Sequence, residues 1–420
     1  MKIRRILRLA RRIREKGVYD AIAIVVYRNC WPVFPLFRRR SARKIHEIIN
    51  NNGRYQPIII IKSPLDYSFP YSQRPHHLAR AFGNHGALVF FISPCSGYDR
   101  EFTVRKIAEN IYLTPHLGSL LQESPTLALF VLSTDVTFTR EQLAKAWSKG
   151  VVVYDYIDSL DGSISNGAIT SERLAIHKEL LEREKDTICV ASASLLFDEI
   201  TRSRSRRMAL VENGVDTAHF KTSRSRDFQS TRLLELLNGG RPIAGYFGAL
   251  AAWLDYELVR RVAELLPHVN FVFIGHDYDG SLKELESGPA NILILPPVDY
   301  AVLPCSAVWF DVALLPFKIN EITLATSPLK LFEYMALGLP VVSTPIPEVR
   351  KYRGVLIADD PDSFARAIVE GLSLKNNIET QLTLAKEAAS NDWNARAATI
   401  LRLITDDIYD HSMRSGSGTV

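Results

Sequence analysis

The sequence predicts an α/β protein built from two Rossmann-like, doubly wound parallel-sheet domains, and two observations carry this prediction. From residue 57 onwards, short apolar runs rich in β-branched residues alternate with segments of helical periodicity. This pattern is typical of parallel strands that helices cover on both faces. The length of 420 residues exceeds what a single hydrophobic core usually fills, so two domains are expected.

The apolar runs form two series, and each series predicts one sheet. The first series places strands at residues 57–63, 87–93, 127–133, 151–158, 187–192 and 208–214. The second series places strands at residues 241–250, 269–275, 291–297, 311–317, 339–344 and 354–360. Each series, with the helices between its strands, makes one doubly wound domain.

The remaining segments complete the domain organisation. The two domains span residues 51–222 and 241–390, and the polar, glycine-terminated segment 223–240 between them is expected to be a linker that can hold a short helix. Residues 391–410 have the apolar spacing of a helix, and residues 411–420 are expected to form a disordered tail.

The first 50 residues form a strongly basic N-terminal arm. They contain 14 Lys and Arg against 3 Asp and Glu, a net charge of +11, whereas the other 370 residues carry 37 against 43, a net charge of −6. The stretch MKIRRILRLARRIREKG is an amphipathic helical pattern typical of an element on an anionic membrane surface. A solvated charge run is the alternative. A nucleic-acid partner is disfavoured because the rest of the chain lacks a basic patch interleaved with aromatic residues.

The expected location follows from several absences in the sequence. The apolar run AIAIVVY is too short to cross a membrane, and no small-residue cleavage site of a secretory signal follows it. The four cysteines are far apart, which fits a reducing compartment. We expect a cytoplasmic protein that is peripheral on the inner face of the cell membrane.

The stretch SPLKLFEYMALG, residues 327–338, predicts a helix with an unusual charge in its first turn. Ser327 suits the N-cap and Pro328 the first helical position, but Lys330 follows where the helix dipole disfavours a cation. Glu333 lies on the same flank, so a surface ion pair of little energetic weight is one interpretation. Because ligands of open α/β sheets bind beyond the carboxyl ends of the strands, we favour Lys330 as a residue placed for a diphosphate.

Polar candidates also follow the strands of the first domain. Arg74 stands at a helix start, where it can bind a phosphate or form a structural pair with Asp66. Asp66, His76 and His77 are candidates for contact with an acceptor, and packing is the alternative for the histidines. Asp158 ends a predicted strand at the same sheet edge, where it can serve a ligand, cap the next segment or hydrogen-bond locally.

Taken together, these segments resemble retaining glycosyltransferases with the GT-B fold, in the broad family four. The resemblance is carried, in chain order, by QRPHHLARAF, YDYIDS, VENGVDTAHF, AGYFGALAAWLDYELVRRVAELLPHVNFVFIG and DVALLPF…SPLKLFEYMALGLPVVST. These blocks match bacterial polysaccharide glycosyltransferases, including those similar to teichuronic acid biosynthesis enzymes, over about residues 57–405. The resemblance implies domains that face each other across a cleft, with the C-terminal helix returning to the first domain.

The resemblance also implies roles in donor binding. Glu333 matches the glutamate that holds the donor ribose, and Lys330 with Lys318 would carry the diphosphate charge. Ala325 replaces the family's first glutamate, which leaves Glu321 or loop amides to contact the transferred sugar. The remaining donor-site residues are backbone groups of Gly248, Ala249, Leu250, Ser327, Pro328 and Leu329, together with His276 near the nucleotide base.

The implied activity is transfer of a sugar, with retention, from a UDP- or GDP-linked donor to a glycan or lipid-linked acceptor in surface polysaccharide biosynthesis. Lys330, Asp158 and Arg74 are the expected catalytic residues. Positive groups would replace a metal ion in stabilising the leaving diphosphate, so neither metal nor cofactor is expected. Two classes stay open as alternatives: a nucleotide-sugar epimerase of the same architecture, and a catalytically silent scaffold, which Ala325 favours.

Overall fold

The structure is a computed structural model that describes residues 35–52, 57–124, 127–162, 168–221, 231–285 and 288–416. The first 34 residues, which include most of the basic arm, lie outside the described residues, as do the first half of the predicted linker and the last four residues. Within the described ranges, no helix is both long and apolar enough to span a membrane.

The first domain contains an eight-stranded sheet. Its strands are β1 (Ile58–Lys62), β2 (Leu88–Ile92), β3 (Arg105–Ala108), β4 (Ile111–Thr114), β5 (Leu127–Leu132), β6 (Gly150–Tyr156), β7 (Thr187–Ala191) and β8 (Met208–Leu210). Their spatial order is β3-β4-β2-β1-β5-β6-β7-β8, and every pair is parallel except β3 with β4. Burial of β1, β2, β5 and β7 along their whole length explains their continuous apolar sequence.

The second domain contains a six-stranded, fully parallel sheet. Its strands are β9 (Ile243–Phe247), β10 (Asn270–Ile274), β11 (Ile292–Leu295), β12 (Val312–Leu315), β13 (Val341–Ser343) and β14 (Val355–Ile357). The spatial order β11-β10-β9-β12-β13-β14 reverses direction between β9 and β12. Ligands of open α/β sheets bind at such a topological switch point, so a ligand site is expected at the loops after these two strands.

Fifteen α-helices lie within the described ranges. They are α1 (Pro35–Asn52), α2 (Arg74–Asn84), α3 (Leu117–Glu123), α4 (Arg140–Trp147), α5 (Ser171–Glu182), α6 (Ser194–Ser203), α7 (Thr217–Phe220), α8 (Thr231–Asn238), α9 (Tyr256–Leu265), α10 (Leu303–Ala307), α11 (Glu321–Leu324), α12 (Leu329–Ala336), α13 (Pro361–Leu374), α14 (Ile378–Ser390) and α15 (Trp393–Gly416). Alternate residues of β1 belong to two separate cores, because helices cover both faces of the first sheet.

The two ends of the described chain both pack on the first domain. Helix α1 buries Ile45, Ile48 and Ile49 in one of its cores. Helix α15 buries Trp393 and Ile400 in the other core, although it follows the second domain in sequence. The first domain is therefore closed by helices from both termini.

A polar contact on one side of the cleft holds the domains together. The carboxylate of Glu348, from the second domain, accepts a hydrogen bond of 2.7 Å from the backbone N–H of Ser194, at the start of α6 in the first domain. Lys351 donates to both the Ser194 hydroxyl and Glu348. A carboxylate at a helix N-terminus is favourable because that end has free N–H groups and partial positive charge.

The structure confirms the predicted fold class. It differs from the predicted elements at one edge of the first sheet, in the linker and at the C-terminal helix. Strands β3 and β4 were not predicted. β3 is short and mostly exposed, so it lacks an apolar run, and β4, although mostly buried, is only four residues long. The described part of the predicted linker is the helix α8, whose Leu233 packs in the core of the second domain. Helix α15 ends at Gly416 rather than at residue 410, so it extends into the segment expected to be a disordered tail.

Candidate active site

The helix that carries Lys330 begins one residue later than predicted. Helix α12 starts at Leu329, with Pro328 at the N-cap position and no side-chain cap. Ser327, predicted as the N-cap, is instead bonded to the first domain. Its carbonyl accepts a hydrogen bond of 2.7 Å from Nδ2 of Asn213, and its hydroxyl accepts one of 3.3 Å from the Asn213 backbone. These bonds hold the first turn of α12 against the first domain, so the cation in that turn lies at the cleft.

The Lys330 side chain lies directly against Gly248, the residue after β9. A Cβ atom at Gly248 would be 2.1 Å from Cε and 2.7 Å from Nζ of Lys330, and Gly248 has a positive φ of +128°. Only glycine allows both this backbone conformation and this close approach. The Lys330 ammonium is also 5.5 Å from the centroid of the Tyr246 ring. The Lys330 side chain therefore joins the start of α12 to the loop after β9.

Lys330 and Glu333 share a buried environment that is unfavourable for charge. Burial lowers the pKa of Lys330, and the neighbouring Glu333 carboxylate opposes that shift. Burial raises the pKa of Glu333 to about 8, and Lys330 opposes that shift in turn. Glu333 is only 2% exposed, and its Oε1 atom is buried without a hydrogen-bond partner. A buried acceptor without a partner is costly unless a ligand supplies the missing donor.

Tyr300 belongs to this group, and sequence reasoning missed it. Its hydroxyl is buried, lacks a hydrogen-bond partner of ordinary geometry, and is near enough to lower the pKa of Glu333. Its ring stacks on His219 with centroids 4.5 Å apart, and its backbone N–H donates to the Pro70 carbonyl of the first domain at 3.2 Å. The sequence feature that could have identified Tyr300 is its position after β11, at the same sheet edge as Lys330.

Asp158 reaches the same cleft from the first domain. Burial raises the pKa of its carboxyl group to about 7, while a hydrogen bond from the Thr326 side chain and the charge of Arg74 act in the opposite direction. Thr326 lies in the loop before α12, so this contact crosses between the domains. A carboxyl group with a pKa near neutrality can take up or release a proton at physiological pH.

Arg74 forms a structural pair, but with a different partner from the one predicted. Its guanidinium donates to Asp155 at 2.9 Å, to the Glu212 carbonyl at 3.2 Å and to Asn213 Oδ1 at 3.2 Å. The predicted pairing with Asp66 is wrong, because Asp66 is held in another loop. One terminal nitrogen, NH2, remains buried without a partner, and the guanidinium charge acts on Asp158.

Asp66 is not free to bind an acceptor, because its carboxylate is already fully engaged. It accepts hydrogen bonds from the backbone N–H groups of Ser96, Gly97 and Tyr98 at 2.7–2.8 Å, as well as from the hydroxyls of Ser93 and Ser96 at 3.0 and 3.1 Å. The prediction of acceptor contact is therefore wrong for Asp66, whose role is to hold a loop.

The two histidines of the first turn of α2 both pack inside the protein. His76 accepts from the Gln73 N–H through Nδ1 and donates from Nε2 to the Asp66 carbonyl, each at 3.0 Å. His77 stacks on Trp393 of α15 with centroids 5.1 Å apart. Burial lowers the pKa of both rings, most strongly for His77. Packing, the alternative interpretation, therefore holds for His76, whose predicted acceptor contact is wrong. His77 keeps a buried Nε2 without a partner, and its acceptor contact stays a prediction.

Several of the predicted backbone donors are already in use. The N–H of Gly248 donates to the Ile274 carbonyl and that of Leu250 to the His276 carbonyl, both at 2.9 Å, and Pro328 has no N–H to offer. Of the predicted amides, those of Ala249, Ser327 and Leu329 remain candidates.

The other predicted donor residues lie around the rim. His276 stacks on Tyr71 of the first domain, with centroids 5.0 Å apart. Glu321 is exposed in the first turn of α11. The backbone N–H of Lys318 donates to Trp253 at 2.8 Å, which places it beside the loop after β9. Ala325 is completely buried and packs in a core of the first domain, so a glutamate side chain there would have no room.

Within the part of the chain that the structure describes, no three His, Cys, Asp or Glu side chains converge as metal ligands would. The groups at the switch point are instead an ammonium, two carboxyl groups and a phenol, drawn from Lys330, Glu333, Asp158 and Tyr300. Such a set can bind an anion and a pair of hydroxyls.

Comparisons with known proteins point to glycosyltransferases. The family model described as glycosyl transferases group 1 matches residues 241–373, within the second domain. TuaH of Bacillus subtilis (strain 168), a protein named as a teichuronic acid biosynthesis glycosyltransferase, is 26% identical over 279 residues, which are 62% of this chain and 68% of TuaH.

Solved structures show the same fold at low sequence identity. Anabaena Alr3699/HepE, in complex with UDP and glucose, is 14% identical, with 86% of this chain and 100% of HepE covered and a TM-score of 0.53. A glycosyltransferase from Rickettsia africae ESF-5 is 11% identical, with 84% and 99% covered and a TM-score of 0.59. The alpha,alpha-trehalose 6-phosphate synthase from Burkholderia multivorans is 12% identical, with 85% and 99% covered and a TM-score of 0.58. This chain is therefore a glycosyltransferase with the GT-B fold, and residues 241–373 of its second domain match the group 1 glycosyl transferases.

Proposed function

We propose that this glycosyltransferase moves a sugar from a nucleoside diphosphate sugar to a glycan or lipid-linked acceptor in polysaccharide biosynthesis, with retention and without a metal ion. The observation that carries the proposal is the contact of Lys330 with Gly248, beside the buried Glu333 whose Oε1 atom lacks a hydrogen-bond partner. The likeness to HepE, which binds UDP and glucose, and to TuaH supports the donor class and the pathway.

In this proposal Lys330 binds the diphosphate and stabilises it as it leaves. A diphosphate beside Lys330 favours the charged ammonium, which burial alone disfavours, so ligand and lysine stabilise each other. The stabilisation grows as negative charge develops on the leaving group, which is what accelerates the reaction. The same positive charge makes a metal ion unnecessary for this step.

The two carboxyl groups take different roles in the proposed reaction. The Oε1 atom of Glu333 accepts hydrogen bonds from hydroxyls of the donor ribose, which satisfies a buried atom that otherwise has no partner. Asp158, with a pKa of about 7, faces the cleft from the acceptor side and can take the proton of the attacking hydroxyl. Arg74 acts on Asp158 by favouring its ionised form.

Retention is proposed to occur by front-face displacement. A double displacement needs a carboxylate nucleophile beside the anomeric carbon, and the family's first glutamate is replaced by the buried Ala325. Closure of the domains around the donor excludes water and so limits hydrolysis. The same buried alanine is the observation that favours the silent scaffold as a second candidate.

Calorimetric titration with UDP, GDP and their glucose and mannose derivatives tests the proposal. We expect one nucleotide series to bind, and Lys330→Ala to weaken that binding at least tenfold, while the exposed Lys283→Ala leaves it unchanged. A loss below about threefold, or ~0.7 kcal/mol, would remove Lys330 from the site. A chain that binds no nucleotide would be the scaffold. Conversion of the donor sugar without an acceptor would indicate the epimerase.

The membrane association of the basic arm is part of the same proposal. Most of the arm lies outside the described residues, but α1 exposes Arg39, Arg40 and Arg43 while it buries its isoleucines in the first domain. We expect the full chain to float with vesicles that contain phosphatidylglycerol and not with pure phosphatidylcholine. Flotation that is unchanged after deletion of residues 1–34 would reject the arm as the anchor.

A further inference from the structure

Two loops at the carboxyl edge of the first sheet carry four aromatic side chains, three of which pack together. Phe69 and Tyr71 lie in the loop after β1, and Tyr98 and Phe102 lie in the loop after β2. The Phe69 ring contacts Tyr71 at 5.4 Å and Tyr98 at 5.3 Å between centroids, edge to face in both cases. Tyr98 is 44% exposed and Phe102 is 42% exposed. We call these four residues the aromatic platform.

The platform is rigidly supported, because each of its loops holds the other through a buried carboxylate. Asp66, in the first loop, accepts hydrogen bonds from the backbone of Ser96, Gly97 and Tyr98 in the second. Asp99, in the second loop, accepts from the backbone of Tyr67 and Ser68 in the first. This reciprocal arrangement fixes the exposed rings before any ligand arrives, which lowers the entropy cost of binding.

The platform is continuous with the candidate active site. Tyr71 stacks almost flat on His276 of the second domain, with an angle of 17° between the rings. The adjacent Pro70 carbonyl accepts a hydrogen bond from Tyr300, whose hydroxyl lies near Glu333. A molecule on the platform would therefore have one end at the cleft, where the acceptor of the transferred sugar must reach.

We propose that the aromatic platform binds the sugar rings of a glycan acceptor. Sugar rings present apolar C–H faces that pack on aromatic rings and hydroxyl edges that can bond to tyrosine. The exposed large apolar side chains of these two loops are aromatic rather than aliphatic, which favours a sugar over a lipid tail. The inference rests on the proposed function and extends it by naming the chemical class of the acceptor.

Saturation-transfer NMR with maltotetraose, cellotetraose and N-acetylchitotetraose tests the platform on the full-length protein. We expect the C–H protons of at least one tetrasaccharide to receive saturation, and Tyr98→Ala to reduce that signal at least fivefold. Tyr98→Phe should retain most of it, because the ring is kept. Leu174→Ala, which removes an exposed apolar side chain elsewhere on the first domain, should leave it unchanged. Thermal melting of each variant checks that the fold is intact.

The remaining outcomes each decide the proposal. It is wrong if no tetrasaccharide receives saturation, or if Tyr98→Ala retains the signal. A more than threefold loss of UDP affinity in Tyr98→Ala would show that the platform holds the nucleotide base instead. Saturation of farnesyl phosphate alone, lost in Tyr98→Ala, would identify a lipid site and also overturn it. Absence of both UDP and GDP binding to the native chain would defeat the proposed donor reaction but leave the tetrasaccharide result standing.

Discussion

Candidate site residues in the two domains, Asp66 and His76 in the first and Glu333 in the second, differ in how completely their hydrogen bonds are satisfied. In the first domain, Asp66 accepts bonds from a whole loop and His76 uses both ring nitrogens. In the second domain, Glu333 keeps a buried oxygen without a partner, and burial lowers the pKa of the neighbouring Lys330. Satisfied buried groups hold loops in place, whereas unsatisfied ones persist at a cost that a ligand can offset. The comparison separates Asp66 and His76, which hold loops, from Glu333, which is available to a ligand, although all three are polar candidates in the sequence.

The largest effect on stability is expected in the first domain, at the buried ion pair of Arg74 with Asp155. Arg74→Met should lower the free energy of unfolding by about 3–5 kcal/mol, because it leaves Asp155 buried without a counter-charge. Chemical denaturation measures this. Lys178→Met, which breaks the exposed pair with Glu182, is the matched control and should change stability little. If Arg74→Met were as stable as the control, Arg74 would not be part of the scaffold.

The largest effect on donor binding is expected in the second domain, at Gly248. Gly248→Ala would place a methyl group 2.1 Å from Cε of Lys330, so the lysine must move and donor affinity should fall at least thirtyfold. Gly280→Ala is a close control, because Gly280 also has a positive φ but an added Cβ there meets nothing within 4 Å. Gly280→Ala should lower the free energy of unfolding only by the cost of the strained backbone, about 1 kcal/mol. Equal donor affinities in the two variants would contradict the close approach.

A smaller effect should appear when the charge of Glu333 is removed. Its pKa is raised to about 8, so folding opposes its ionisation, and the penalty grows as the pH rises from its usual value of 4.5 towards 8. Glu333→Gln should therefore be more stable than the native chain at pH 8.5, by at least about 1 kcal/mol, and no more stable near pH 4.5. Donor affinity should fall in the same variant. A constant stability difference across this range would show that Glu333 is not buried as a carboxyl group.

The smallest expected effect concerns Tyr300. Its hydroxyl lowers the pKa of Glu333, so Tyr300→Phe should raise that pKa and move the acidic limb of the donor-binding profile to higher pH, by about half a pH unit. Titration of UDP between pH 6 and 9 measures the shift, with Tyr112→Phe on β4 as a remote control. An unshifted profile would leave Tyr300 with a packing role only.

Local sequence pattern predicted the fold better than it predicted the site. Buried parallel strands have continuous apolar sequences, so most strands of that kind were found, whereas the short buried strand β4 and the exposed edge strand β3 were not. The start of α12 was misplaced by one residue because Ser327 is bonded to Asn213, which lies 114 positions away in sequence. The partner of Arg74 is 81 positions away. Such long-range partners cannot be inferred from neighbouring residues, and they decide which polar groups remain available for a ligand.

Lys330 illustrates what local reasoning can achieve. A cation in the first turn of a helix conflicts with the helix dipole, and the structure places this residue against Gly248 at the switch point. The conflict can be inferred from the sequence because the charge of Lys330 and the start of the helix are both local features. Tyr300 has no local conflict, and its importance depends on Pro70 and Glu333 from distant segments.

The most direct measurement is a crystal structure of the protein with UDP. If Lys330 and Glu333 form the donor site, Nζ of Lys330 should lie within about 3.2 Å of a diphosphate oxygen, with Glu333 against the ribose hydroxyls. A complex in which UDP binds elsewhere, while Lys330 points away from the diphosphate, would contradict the account.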